Sequence, residues 1–150
     1  MFSFTGRNIL VTGAGSGIGK ATALSLGQQG GGVIVVDQNQ ETADRTVEQL
    51  EQIGTKAKAI LADISDPEAV DRMYAETLED FETLDGIVHC AGIGIERTIM
   101  ETTMEEWNRI ISVNLTGTFL CAQGAAKIMA RQRYGRIVLM SSAAGERGGN

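Results

Sequence analysis

The segment that most narrows the possible folds is Val11-Thr12-Gly13-Ala14-Gly15-Ser16-Gly17-Ile18-Gly19-Lys20. It joins a β-branched run, Arg7–Thr12, to a stretch of helical character. Gly13 permits a turn too tight for a side chain. Gly17 leaves the backbone bare where a helix begins, so a pyrophosphate can lie against Gly15, Ser16, Gly17 and Ile18 at the positive end of the helix dipole. Gly19 lets the new helix sit close to the strand before it. Strand, glycine turn and helix in this order predict a dinucleotide cradle. The spacing is G-x-x-x-G-x-G; Gly13 and Gly15 match the first pair of G-x-G-x-x-G, but Ile18 stands where its third glycine belongs. No Gly-Lys-Ser/Thr follows, so it is not a P-loop. A plain glycine-rich surface loop is the competing reading, and the flanking strand and helix argue against it.

The rest of the chain repeats that alternation. Val33–Val36 is apolar on both faces, as a buried parallel strand should be. Lys58–Ala62, Gly86–His89 and Arg136–Met140 complete a set of five predicted strands. Between them, Ala43, Val47, Leu50 and Ile53 recur at helical spacing, as do Val70, Met73, Tyr74, Thr77, Leu78 and Phe81. Asp66 is a natural N-cap for the latter helix, and Pro67 suits its first turn. Trp107–Arg133 is the longest helical stretch, with a predicted buried stripe through Trp107, Ile111, Leu115, Thr118, Ala122, Ala125 and Met129. The fold class is therefore α/β, a doubly wound parallel sheet of the Rossmann type. Neither linker nor repeat interrupts residues 1–150, which are expected to form one dinucleotide-binding domain.

Two acids qualify as nucleotide contacts. Asp37 ends the second strand, 20 residues beyond Gly17. A carboxylate there can accept both hydroxyls of an adenosine ribose and repels a 2′-phosphate. Ser16 and Gln38 are neutral where an NADP site wants Arg or Lys, so NAD is expected over NADP. Asp37 is also suited to the turn Asp37-Gln38-Asn39. At the third strand's end, Asp63-Ile64 stands where the adenine edge is met; Asp63 serves equally well to open the turn to the next helix.

Composition limits the partners. Thirteen basic against nineteen acidic residues give a net charge of −6, which disfavours nucleic acid and anionic membrane surfaces. No apolar run is long enough to span a bilayer, and Met1–Leu10 lacks a signal-peptide pattern. Cys90 and Cys121 have neither metal-type nor disulfide-framework spacing. A cytoplasmic protein without a metal site is expected.

Taken together, these residues resemble the short-chain dehydrogenase/reductase family, over essentially the whole chain. Thr12-Gly13-x-x-x-Gly17-Ile18-Gly19 resembles its cofactor motif, and Asp37 and Asp63-Ile64 its ribose and adenine contacts. His89-Cys90-Ala91-Gly92 stands where the family usually carries Asn-Asn-Ala-Gly, which puts Ala91 and Gly92 in the cofactor site. His89 reads as a hydrogen-bonded core residue or as a general base. Val113-Asn114-Leu115 resembles the helix-asparagine segment, and Ser141-Ser142-Ala143-Ala144-Gly145 the catalytic-serine segment. The glycine spacing is that of the compact single-domain branch.

The resemblance implies hydride transfer between an alcohol or ketone and a nicotinamide, with four catalytic residues. Ser142 would hold the substrate oxygen and Asn114 would position a relay water. The Tyr-x-x-x-Lys pair, roughly a dozen residues after the serine, is expected beyond Asn150. Tyr74 and Tyr134 do not replace it, being followed four residues later by Leu78 and Val138. The chain is thus expected to be the N-terminal portion of a homo-oligomeric enzyme, not competent on its own, with the fifth strand as an uncovered edge. A non-catalytic dinucleotide-binding or interaction module is the alternative. The final Gly145–Asn150 reads as a loop interrupted midway.

Overall fold

A computed structural model describes residues 3–143; Ala144 and Gly145 of the serine segment, and the interrupted loop through Asn150, lie outside the described residues. The strands are β1 (Asn8–Thr12), β2 (Gly32–Asp37), β3 (Ala57–Leu61), β4 (Gly86–His89) and β5 (Arg136–Leu139). They form one sheet in the order β3-β2-β1-β4-β5, every neighbouring pair parallel. This is the doubly wound order, with its reversal beside β1, where such sheets bind ligands.

Helices cover both faces because the strands alternate apolar side chains between two cores. Leu10, Ile34, Val36 and Ile87 pack toward Met73, Phe81, Val113, Cys121 and Met129. Ile9, Val11, Val33 and Val35 pack toward Ala23, Ala43 and Leu50 on the other side. With both faces buried, β2 needs valine and isoleucine at every interior position. Helix α1 spans Gly17–Gln28. Helix α2 (Gln40–Gln52) starts at Asn39, whose side chain accepts from the Thr42 N–H at 3.1 Å. Helix α3 (Pro67–Asp80) starts as expected, with Asp66 accepting from the Glu68 N–H at 3.0 Å and Pro67 in the first turn.

The long helix departs from expectation. It begins at Met104, ahead of Trp107, because Thr103 and Glu106 form a reciprocal capping box. It then runs as α4 (Met104–Ile110), a π-helical segment (Ile111–Gly117) and α5 (Thr118–Gln132). The widened turns change the phase of the buried face. Val113, Gly117, Cys121, Ala125 and Met129, each four residues apart, are the buried set. Trp107 and Leu115 of the predicted stripe are exposed at 50% and 65% instead. A stripe drawn at 3.6 residues per turn meets this face only where regular α-helix resumes. Among the described residues β5 pairs only with β4, and Ile137, Val138 and Leu139 are exposed.

Candidate functional site

The glycine turn takes the shape its sequence implies. Gly13 has φ +65°, and a Cβ there would lie 2.9 Å from the Ala91 backbone. Gly17 has φ +52°, with open space where its Cβ would point. A Cβ on Gly19 would lie 2.2 Å from the Gly13 carbonyl oxygen, so the bare residue lets α1 start hard against the turn. Ser16, the N-cap of α1, makes no side-chain cap bond, leaving its end of the helix open.

This turn forms one wall of a cleft of about 300 Å³ at the carboxyl ends of the strands. Gly13, Ser16, Gly17, Ile18, Gly19, Asp37, Asp63, Ile64, Ala91 and Gly92 all line it. Every proposed cofactor residue except Gly15 therefore meets at one place. Gly15 lies behind the wall: its N–H donates to Asp37 Oδ2 at 2.9 Å, and a side chain there would collide with Thr42 and Asp37. The other Asp37 oxygen accepts from the Asn39 N–H at 3.0 Å. Asp37 thus both shapes its turn and presents a carboxylate, fixed by two amides, to the cleft.

Asp63 likewise does two things. Its Oδ1 accepts from the Ser65 N–H at 2.9 Å and the Ser65 hydroxyl at 2.6 Å, opening the turn toward α3. Its Oδ2 lies 3.7 Å from Arg109 on α4. The Ser65 hydrogen bonds, helped by Arg109, outweigh burial and hold this carboxyl below the usual carboxylate range. Cys90 also lines the cleft, its thiol pKa pushed up by burial.

Asn114 does not line the cleft. It sits in the π-helical segment and braces the cleft wall: its Oδ1 accepts from the Ile93 N–H at 2.9 Å, and its Nδ2 donates to the Ile93 carbonyl at 2.8 Å. Ser142 is exposed and follows the last bond of the β4–β5 ladder, Met140 N–H to the His89 carbonyl at 3.0 Å. Tyr74 is enclosed in the core, where its hydroxyl donates to the Cys121 carbonyl, and burial drives its pKa far upward. Among the described residues no group of three or more His, Cys, Asp or Glu is placed to hold a metal.

Several site residues carry weaker sequence signals. Gln38, Ile93 and Val113 line the cleft as direct neighbours of motif residues. Gly117 is buried against Ile64, and a Cβ there would lie 2.9 Å from the Ile64 side chain. His89 is 1% exposed, with Nδ1 2.9 Å from Thr12 Oγ1 and Nε2 3.0 Å from Thr118 Oγ1. It is the hydrogen-bonded core residue of the two readings. Thr118 stands four residues after Asn114, the helical spacing at which a threonine hydroxyl reaches back to a carbonyl.

Comparison with known proteins agrees with this geometry. The sequence pattern of the short chain dehydrogenases matches residues 7–150. A 3-oxoacyl-[acyl-carrier-protein] reductase of Synechocystis sp. is 38% identical over 99% of this chain and 60% of its own length. Versicolorin reductase 1 of Aspergillus parasiticus is 43% identical over 91% of this chain and 52% of its own. The structure of NAD+-bound xylitol dehydrogenase superposes with TM-score 0.95 and 32% identity, over 99% of this chain and 57% of that one. Levodione reductase superposes with TM-score 0.94 and 33% identity, over 98% of this chain and 58% of that one. The chain thus spans between half and three-fifths of the length of these relatives. By its sheet, its cleft and these matches, the chain belongs to the short-chain dehydrogenase family.

Proposed function

We propose that this chain carries the cofactor site of an NAD-dependent oxidoreductase that interconverts an alcohol and a ketone. The observation that carries the reading is the cleft between Gly17 and Asp37: a bare helix start at one end and an amide-fixed carboxylate at the other. Those two features suit a pyrophosphate and an unphosphorylated ribose respectively. Asp63 and Ile64 would receive the adenine, and Ala91 and Gly92 would border the nicotinamide half. Bound there, the nicotinamide supplies or accepts the hydride. Ser142, at the carboxyl edge of β5, would hold the substrate oxygen, and Asn114 would position a relay water. A Tyr-x-x-x-Lys pair downstream of Asn150 would move the proton. The xylitol dehydrogenase neighbour, described as NAD+-bound, and the reductase names among the relatives support this class of chemistry.

The substrate is a small alcohol or carbonyl compound, and the enzyme is expected to work in the cytoplasm. Both cysteines are free thiols, and no helix among the described residues is long and apolar enough to cross a membrane. Assembly as a homo-oligomer through the long helix fits the exposure of Leu115 and Phe119, 65% and 57%.

Titrating the full-length protein with NADH and NADPH tests the cofactor assignment. NADH should bind at least about tenfold more tightly, a gap of about 1.4 kcal/mol. Asp37→Ala should close most of that gap by weakening NADH and relieving the repulsion of the 2′-phosphate. Equal affinities in the unmutated protein would refute the assignment.

A further inference from the structure

His89 is enclosed at the end of β4, and its ring joins two elements of the site. Six hydrogen bonds form a closed circuit through it. The Ala91 N–H donates to Thr12 Oγ1 at 3.2 Å, and Thr12 Oγ1 meets His89 Nδ1 at 2.9 Å. His89 Nε2 meets Thr118 Oγ1 at 3.0 Å, and the Thr118 hydroxyl donates to the Asn114 carbonyl at 2.7 Å. The Asn114 carboxamide then returns to both backbone groups of Ile93, at 2.8 and 2.9 Å, two residues from Ala91.

Counting protons fixes the direction of this circuit. A threonine hydroxyl has one proton, and that of Thr118 is committed to the Asn114 carbonyl. Its oxygen can therefore only accept from the imidazole, so Nε2 carries the hydrogen. In a neutral ring Nδ1 is then bare and accepts from the Thr12 hydroxyl, whose oxygen is free to take the Ala91 N–H. Each proton has one acceptor, and no buried polar side-chain atom among the described residues lacks a partner.

The circuit passes through a place where the helix is irregular. Ile111–Gly117 is π-helical, and the Thr118 hydroxyl binds the carbonyl four residues back, a bond that competes with the backbone ladder. Asn114 lies inside this segment, where its backbone carbonyl is one partner of that hydroxyl. Ile93 holds the Asn114 side chain on one side and Thr118 its carbonyl on the other.

We propose that His89 is a positioning residue: as a neutral imidazole protonated at Nε2, it fixes Asn114 and the Ala91–Ile93 cleft wall in one register through Thr12 and Thr118. This rests on the reading that Asn114 serves the reaction. The imidazole does not line the cleft; it acts by holding Asn114 and the wall residues that do.

Thr118→Val keeps the shape of the side chain and deletes its hydroxyl. In the full-length protein it should lower kcat about tenfold to a hundredfold, the scale of a small misplacement propagated to the reacting groups. NADH affinity should fall much less than kcat, because the Ala91 N–H keeps its bond to Thr12 and the Gly17–Asp37 end of the cleft lies outside the circuit. Thr118→Ser should restore kcat. An unchanged kcat, or an equal loss of NADH affinity, would overturn the proposal. Two readouts are independent of turnover. The 15N spectrum, with the His89 signals assigned by their loss in His89→Asn, should show Nδ1 unprotonated and Nε2 protonated at pH 7.5. The Asn114 side-chain amide should exchange slowly with solvent in the unmutated protein and faster in Thr118→Val. The opposite tautomer, or exchange unaffected by the substitution, would also overturn it. If the full-length protein reduces no carbonyl compound while both readouts hold, the proposed enzyme activity fails and the positioning circuit stands.

Discussion

Gly17 and Gly19 stand two residues apart but respond differently to an added methyl. At Gly17 the space is open and only the backbone, at φ +52°, resists a side chain. Gly17→Ala should destabilise the fold by about 1 kcal/mol and, by filling the cradle, should abolish most dinucleotide affinity. At Gly19 the new Cβ would meet the Gly13 carbonyl at 2.2 Å, against backbone that cannot rotate away. Gly19→Ala should destabilise by about 1–3 kcal/mol through overpacking. Urea unfolding paired with NADH titration of each variant separates the two: Gly19→Ala should lose the more stability, and Gly17→Ala should lose affinity out of proportion to its stability. Both glycines are legible in the sequence because their reasons lie within one turn. Asp37 is legible too, through its distance from that turn. The support Asp37 receives from the Gly15 N–H is not, since that bond crosses from one βα junction to the next and leaves no local pattern.

Strand β2 is legible because Val33–Val36 is a short β-branched run, apolar at every position and flanked by helical stretches, which fits little but a strand buried on both faces. The long helix is less legible. Its start carries a plain signal, Thr103-Met104-Glu105-Glu106, the capping-box pattern ahead of an apolar stretch. Its middle carries none: a π-helical segment uses the same residues as an α-helix, and the threonine–carbonyl bond that accompanies it depends on what Thr118 meets across the sheet end. The buried face consequently falls on Val113, Gly117 and Cys121, while Trp107 and Leu115 are exposed. The cap can be tested alone. Thr103→Ala removes the oxygen that accepts the Glu106 N–H at 3.1 Å. It should cost about 1 kcal/mol and lower Tm by about 2–4 °C for a chain of this size. Thr103→Ser should keep the cap and most of the stability. A Tm in Thr103→Ala equal to that of the unmutated protein would mean the box contributes nothing.

For the molecule as a whole, the two ends of the sheet are closed by different polar groups, and acid should open them at different pH. At the carboxyl end, burial lowers the pKa of His89 from its ordinary 6.5. The folded state therefore favours the neutral ring. Stability from this source is complete above pH 6.5 and falls as pH drops from 6.5 through the lowered value, because the unfolded chain takes up the proton first. At the amino end, Asp85 joins three strands. It accepts from the Asn8 N–H at 3.0 Å and from Arg7 at 2.8 Å, and its own backbone bonds both Asn8 and Arg136. Burial works to raise its pKa, but the bonds from Asn8, Arg7 and Thr83 prevail and hold it below the ordinary 3.8. Its contribution is complete above that value and is lost only as pH falls through the folded-state pKa. The first stage of acid destabilisation should therefore belong in part to His89. The difference in unfolding free energy between the unmutated protein and His89→Asn should be constant above pH 7. Below 6.5 it should shift against the unmutated protein, with a slope of at most about 1.4 kcal/mol per pH unit, the limit for one proton. Asp85→Asn should show no such change between pH 7 and 5, and its difference from the unmutated protein should narrow only at lower pH. Urea denaturation at half-unit pH steps measures both. A His89→Asn difference that stays flat from pH 7.5 to 5 would mean that the buried ring takes up its proton as readily folded as unfolded.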